Sequence, residues 1–232
     1  MEEIIRTENL VKRYGRVKAL NNLNIWIEKG SLVGLLGPNG SGKSTFMRLA
    51  AGQSRPTSGA VYVKGMVPGV ETKRLVSYSP EENHLYSWMK VKEVVSFFKD
   101  IFPFFEEEKT WSMLDFMKLP PDRYISGLSK GMVARLKLAM ALSWGAEVVL
   151  LDEPLSGIDP ASREMITQGI LMDFKKGENA MVITTHNVDE IELLLNRVIF
   201  LKEGELYLEG EPDQLREKYG YSLDQIFRRE LA

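Results

Sequence analysis

Apolar and polar positions alternate through the first thirty residues, where Ile4, Leu10, Val11, Leu20, Leu23, Ile25 and Ile27 fall at strand-like spacing between Asn and Gly breaks. A strand that buries one face shows a period of two, so this stretch predicts a small β structure. Residues 31–40 read as a buried strand running into a glycine turn, and residues 44–53 carry Phe46, Leu49 and Ala50 at helical spacing. Strand, glycine loop and helix therefore follow in that order. Residues 56–65 predict a turn into a short strand, and residues 75–80 end in a proline loop, after which the composition changes from β-branched to aromatic and acidic. A boundary is expected near residue 80.

From Val91 to about Trp144 the spacing is helical, with Trp111, Leu114 and Met117 three apart and Met132, Leu136, Ala139 and Met140 on one face. This predicts an α-rich insertion. Beyond it, β-runs at 148–154, 180–186, 197–204 and 205–210 alternate with helical patterns at 162–174 and 187–195, as β-α units with a mostly parallel sheet do. The tail reads as two short helices split at Gly220. No internal repeat or low-complexity linker interrupts the chain, so one composite domain is expected.

Composition narrows the function. The chain has 232 residues, 44% of them apolar, enough for a sizeable core in one domain or a domain with a subdomain. Thirty Lys plus Arg against 32 Asp plus Glu gives a net charge of −2, which offers no global footprint for nucleic acid or anionic lipid. Cysteine is absent and His84 and His186 are the two histidines, which excludes thiol chemistry, thiolate metal sites and histidine clusters. The acidic start lacks the charge and apolar run of a signal peptide, and no run of about 18 apolar residues occurs. A cytosolic protein is expected, whose membrane role, if any, comes through a partner.

The strongest chemical signal is Gly37-Pro38-Asn39-Gly40-Ser41-Gly42-Lys43-Ser44-Thr45, which matches G-x-x-x-x-G-K-[ST] between a buried strand and a helix. Glycines let successive N–H groups wrap phosphates, the helix N-terminus adds positive potential, Lys43 reaches the β- and γ-phosphates, and the Ser44 hydroxyl ligates Mg²⁺. A second signal is residues 148–153, four apolar positions delivering Asp152 and Glu153 at a strand's C-terminal end, where ligands of open α/β sheets collect. Successive strand residues point to opposite sides, so Asp152 is assigned to the Mg²⁺ shell and Glu153 to the water attacking the γ-phosphate.

Together with Leu128-Ser129-Lys130-Gly131-Met132 ahead of a helix, and Ser156-Gly157-Ile158-Asp159 just after Glu153, these residues resemble an ABC-type ATPase subunit nearly end to end. The resemblance implies an α/β fold, a P-loop NTPase (RecA-like) core with a small antiparallel β subdomain and an inserted α-helical subdomain. Residues 1–80 and 145–232 would form the core with its β subdomain, and 81–144 the helical subdomain bearing the signature. Residue by residue, Tyr14 matches the aromatic that stacks on adenine and His186 matches the switch histidine that hydrogen-bonds the γ-phosphate. Ser129, Lys130 and Gly131 match the signature that meets a nucleotide held by another subunit, and Asp159 lies in the D-loop. The signature departs from LSGGQ at its third and fifth positions. Glu81 stands where the Q-loop glutamine is usual, a carboxylate able to approach Mg²⁺ or the attacking water.

The same resemblance implies ATP and Mg²⁺ as cofactors, a second nucleotide-binding subunit facing head to tail, and separate membrane-spanning subunits. It places the chain at the inner face of the cell membrane. The Glu-containing Q-loop, the LSKGM signature and the tail look most like bacterial ABC-2 type exporters, so ATP-driven export is the expected function. The alternative is a soluble ABC ATPase acting on the ribosome or on DNA. A kinase or GTPase has no use for LSKGM ahead of the Asp-Glu strand. The aromatic run from Leu85 to Phe105 reads either as the core of the helical insertion or as a docking groove for partner helices.

Overall fold

A computed structural model describes residues 2–174, 179–185 and 188–230. Two sheets form. The smaller pairs β1 (Glu3–Tyr14) with β2 (Val17–Leu23), β3 (Trp26–Glu28) and β5 (Ser58–Val63), all antiparallel. The larger has six strands in the order β10 (Glu205–Gly210), β9 (Arg197–Lys202), β4 (Leu32–Leu36), β8 (Ala180–Thr185), β7 (Val148–Asp152) and β6 (Val76–Ser79). Every pairing in it is parallel except β9 with β10. The mixed α/β architecture read from the sequence is thus the one observed.

Strand parity divides the core. In the six-stranded sheet Val33 and Leu35, Val148 and Leu150, and Ala180 and Val182 face helix α1 (Lys43–Ala50) and the small sheet, where Phe46, Met47 and Leu49 are fully buried. Leu32 and Leu36, Val149 and Leu151, and Met181 and Ile183 face the opposite layer. The central strands β4, β7 and β8 bury both faces, which is why their segments read as continuous apolar runs. Gly34 lies between Leu32 and Leu36 on that second face, where an added Cβ would sit 2.4 Å from Leu195 Cδ1. The backbone there comes as close to Leu195 as only glycine permits.

Helices α2 (Val91–Ile101), α3 (Glu107–Phe116) and α4 (Lys130–Leu142) occupy the region between β6 and β7. Their buried side chains, among them Val94, Met113, Leu114, Leu136 and Ala139, join those of α5 (Pro160–Phe174) on the second face. A lysine side chain crosses this interface: Lys109 pairs at 2.7 Å with Asp173, which also accepts from Asn179. The tail forms α6 (Pro212–Tyr219) and α7 (Leu223–Glu230), split by Gly220 at φ 70 as its position after a helix requires.

One expectation fails. Of the helix expected at 187–195, the described residues 188–195 form no α-helix but two three-residue 3₁₀ turns, Val188–Glu190 and Glu192–Leu194. The apolar spacing of Val188, Ile191 and Leu195 buries all three. Ile191, with φ −127, breaks the helical run, and Leu195 is already extended at ψ 133 as it leads into β9. Apolar spacing sets which side is buried, and short 3₁₀ turns satisfy it as well as an α-helix does.

Candidate nucleotide site

The loop from Gly37 to Gly42 joins the buried strand β4 to α1. Gly37, Gly40 and Gly42 take φ of 154, 82 and 106, values that L side chains rarely adopt. At Gly42 a Cβ would also meet Ala19 O and Leu20 Cδ2 at 2.6 Å, so the turn is sealed against β2. Gly204 N donates to Ser41 O at 3.1 Å, tying the loop to the β9–β10 hairpin. No side chain caps the N-terminus of α1, which leaves its first N–H groups and its positive dipole end for an anion. Within the same loop the Ser41 hydroxyl is buried without a hydrogen-bond partner.

Lys43 is 7% exposed and folds back over the loop, donating to Gly37 O at 2.7 Å and Pro38 O at 3.2 Å. Burial pushes its ammonium below the ordinary lysine range, and the carboxylates of Glu153, Asp152 and Glu81 pull it back up. A charged group held so, with carbonyls for company and three acids nearby, suits a polyanion that brings its own negative charge.

Asp152 collects hydroxyls. Its Oδ1 accepts from Thr184 at 2.7 Å and from Ser44 at 3.1 Å, and its Oδ2 accepts from Tyr78 at 3.2 Å. Parity explains the convergence: Asp152 continues the Val148–Leu150 face, Thr184 the Ala180–Val182 face, and all look toward α1. Tyr78 stays neutral, pushed well up by burial and by Asp152. Ser44 is the second residue of α1, so hydroxyl and carboxylate meet at the foot of the phosphate loop. Among the described residues no group of three or more His, Asp or Glu could hold a metal ion. A divalent cation fits this hydroxyl-carboxylate pair with phosphate oxygens and water completing its shell.

Glu153 takes φ 48, left-handed for a residue with a full side chain, while its N–H donates to Thr184 Oγ1 at 2.8 Å. Strain of this kind persists where surrounding bonds over-determine the conformation. Here the strand ends and the chain turns out of the sheet beside Lys43. Glu153 and Glu81 line a cavity of about 380 Å³ together with Tyr14, Asn39, Gly40, Lys43, Ser44 and Thr45. Tyr14 is half exposed at the cavity's edge, where the Lys12 ammonium lies 5.0 Å from its ring centre. The loop, Tyr14, Glu81, Asp152 and Glu153 are therefore brought together, while His186 lies outside the described residues.

The signature residues stand at the start of α4. Ser129 is its N-cap and accepts from Met132 N at 3.2 Å. Asp159 likewise caps α5, accepting from Ser162 N at 2.9 Å. The two helix starts meet at Gly131, where a Cβ would lie 2.3 Å from Ser162 Oγ and 2.5 Å from Asp159 Oδ2. Gly131 thus has a packing reason inside its own chain. Gly131→Ala is expected to lower unfolding stability by about 1–3 kcal/mol, as overpacking at a rigid contact does. Urea denaturation checks this; an unchanged midpoint would show that the contact relaxes at no cost. Lys130 reaches over Gly157, where an added Cβ would meet its Nζ at 2.3 Å.

Sequence reading missed Thr184 and Tyr78. Both lie at strand ends with the parity of Asp152, which is the signal that would have found them. The family model described as ABC transporter matches residues 20–156. A Methanocaldococcus jannaschii protein named "Uncharacterized ABC transporter ATP-binding protein MJ1023" is 31% identical over 226 residues, 95% of this chain and 82% of its own. A Chlorella vulgaris protein named "Probable sulfate/thiosulfate import ATP-binding protein CysA" is 32% identical over 219 residues, 91% and 92% of the two chains. Among solved structures, an "ATP binding subunit of ABC transporter" superposes with TM-score 0.87 at 24% identity over 97% of this chain and 98% of its own. A dimeric, post-hydrolysis cassette bound to ADP and Pi superposes with TM-score 0.78 at 23% identity over 90% and 98%. With phosphate loop, acid-bearing strand and signature helix in one fold, and with these relatives, the chain belongs to the ABC transporter family as an ATP-binding, ATP-hydrolysing subunit.

Proposed function

We propose that this ATPase binds Mg-ATP at the phosphate loop of one copy and the signature of another, and drives export through separate membrane-spanning subunits. The observation that carries the site assignment is the meeting of Ser44 and Asp152 at 3.1 Å beneath the loop, with Glu153 turned out beside Lys43. In this reading Lys43 and the loop N–H groups hold the phosphates, Tyr14 stacks on the base, and Glu153 takes the proton of the attacking water. Bound Mg²⁺, held by Ser44 and Asp152, supplies charge neutralisation at the phosphate oxygens. Thr184 and Tyr78 fix the Asp152 carboxylate by donating one hydroxyl to each of its oxygens.

Residues 81–144 act as the moving subdomain, and a cleft beside it suits a partner helix. Phe98, Phe102, Phe104, Met140 and Trp144 line about 410 Å³ there, together with Tyr78. Phe102 and Phe104 pack against Trp144, tilted and edge-on, with ring centres 4.5 and 5.2 Å from its own. Tyr78 spans from this cleft to Asp152, so a helix seated in the cleft would press on the nucleotide site through one ring. No helix among the described residues is long and apolar enough to cross a membrane, so the membrane passage is assigned to partners. The chain itself then works as a peripheral protein on the cytoplasmic face.

Export rests on the Glu81 Q-loop, the LSKGM signature and the tail, which resemble ABC-2 type exporters; the likeness to a relative named for sulfate import is the counterweight. Affinity purification of tagged Glu153→Gln protein with ATP and Mg²⁺ in mild detergent tests the reading. A multi-spanning membrane protein in equal amount is expected. Ribosomal proteins or nucleic acid in its place would overturn transport, and an accompanying solute-binding protein would overturn export.

A further inference from the structure

The signature helix carries a cation that none of the nucleotide motifs includes. Lys137 sits between the buried Leu136 and Leu138 of α4, where a surface lysine would extend its ammonium into water. Instead it crosses to the Q-loop, donating to Pro80 O and, at 2.8 Å, to Glu81 O. With Glu81, Glu82, Lys130 and Glu153 it lines a cleft of about 430 Å³. Glu81 also lines the nucleotide cavity with Lys43, and its carboxylate acts on the ammonium groups of both Lys43 and Lys137. Burial holds Lys137 down to about 8, against the pull of Glu81 and then Asp152.

A carboxylate at the edge of a triphosphate site repels its own ligand, most strongly at the terminal phosphate. A neutral amide in that place would not. We propose that Lys137 is a positioning residue for this carboxylate: its ammonium pins residues 80–81 to α4 and neutralises Glu81, so that a Glu-bearing Q-loop can face the γ-phosphate. The inference rests on the reading that Glu81 looks onto that phosphate. It also ties the signature helix to the Q-loop, since the same side chain moves with α4 and holds the backbone at 80–81.

The test is a double-mutant cycle read by calorimetric binding of Mg-ATP and of ADP to the purified subunit. Lys137→Met should weaken ATP about tenfold, the size of one unit charge interaction at a partly screened site, and leave ADP nearly unchanged. In Glu81→Gln protein the same substitution should cost nothing, and Lys137→Arg should restore ATP affinity in the original background. Lys137→Gln keeps a donor for the carbonyls and loses the charge, so it should follow Lys137→Met; if the Met variant fails to fold, it runs the same cycle. Equal losses in both backgrounds, or equal losses for ATP and ADP, would overturn the proposal and leave Lys137 as a packing contact. If Glu81→Gln does not change the preference for ATP over ADP, Glu81 does not face the γ-phosphate, and the underlying reading fails instead.

Discussion

Glu153→Gln is expected to bind ATP, to dimerise with it and to lose turnover by a factor of about 10²–10⁴, the usual worth of a positioned general base. The amide keeps the size of the side chain and leaves the backbone N–H free to hold its 2.8 Å bond to Thr184. What disappears is the ability to accept a proton from water. Removing a carboxylate that acts on Lys43 also lessens repulsion of the triphosphate, so affinity for ATP should hold or rise. Phosphate release by the purified subunit gives kcat, and light scattering with and without Mg-ATP gives the oligomeric state. A kcat close to that of the unsubstituted protein would remove Glu153 from the chemistry, because loss of an interaction made only in the transition state must appear in kcat. Loss of binding together with turnover would point to a collapsed strand end at this left-handed residue, whose φ of 48 only its neighbours sustain.

Much of this site was legible because its parts are local. Nine consecutive residues at 37–45 carry the glycine conformations, the lysine and the hydroxyl, and an apolar run announces the strand before them. The run at 148–151 likewise announces β7 and the acids at its end. The helical spacing from Met132 onward announces α4, and Ser129 just ahead of it is the N-cap. What escaped depends on which strands lie side by side. Thr184 is 32 residues from Asp152 and Tyr78 is 74, and only the sheet order β8-β7-β6 makes them neighbours. Lys137 escaped for a related reason, since periodicity places it on α4 without showing that α4 passes beside the Q-loop. The 187–195 segment misled because apolar spacing reports burial on one side, which two 3₁₀ turns satisfy as well as a helix. The aromatic run belongs to the core of the insertion, as Phe98 and Phe102 show by packing against it, and the same two rings line the open cleft.

Lys43→Ala should abolish measurable nucleotide binding at ordinary concentrations. A charge-assisted hydrogen bond of this kind is worth up to about 3 kcal/mol, or about a hundredfold in affinity, before loss of the loop's own order is counted. That order is at risk because Lys43 bridges Gly37 O and Pro38 O, which would lose their donor. Lys43→Arg separates the two effects by keeping the charge with a different reach: weak but measurable binding is expected from it, none from the alanine variant. Calorimetric titration with ATP reads both, and thermal melting without ligand reports whether the fold survives. Unaltered binding by the alanine variant would overturn the phosphate-loop assignment. The ammonium also makes binding sensitive to pH. Burial lowers its pKa in the free protein, and phosphate oxygens favour the charged form, so ATP binding takes up protons in the interval between the free and bound values. Affinity should therefore fall as pH rises through that alkaline interval, and the share of the fall that Lys43 causes should be absent from Lys43→Arg, whose guanidinium keeps its proton throughout.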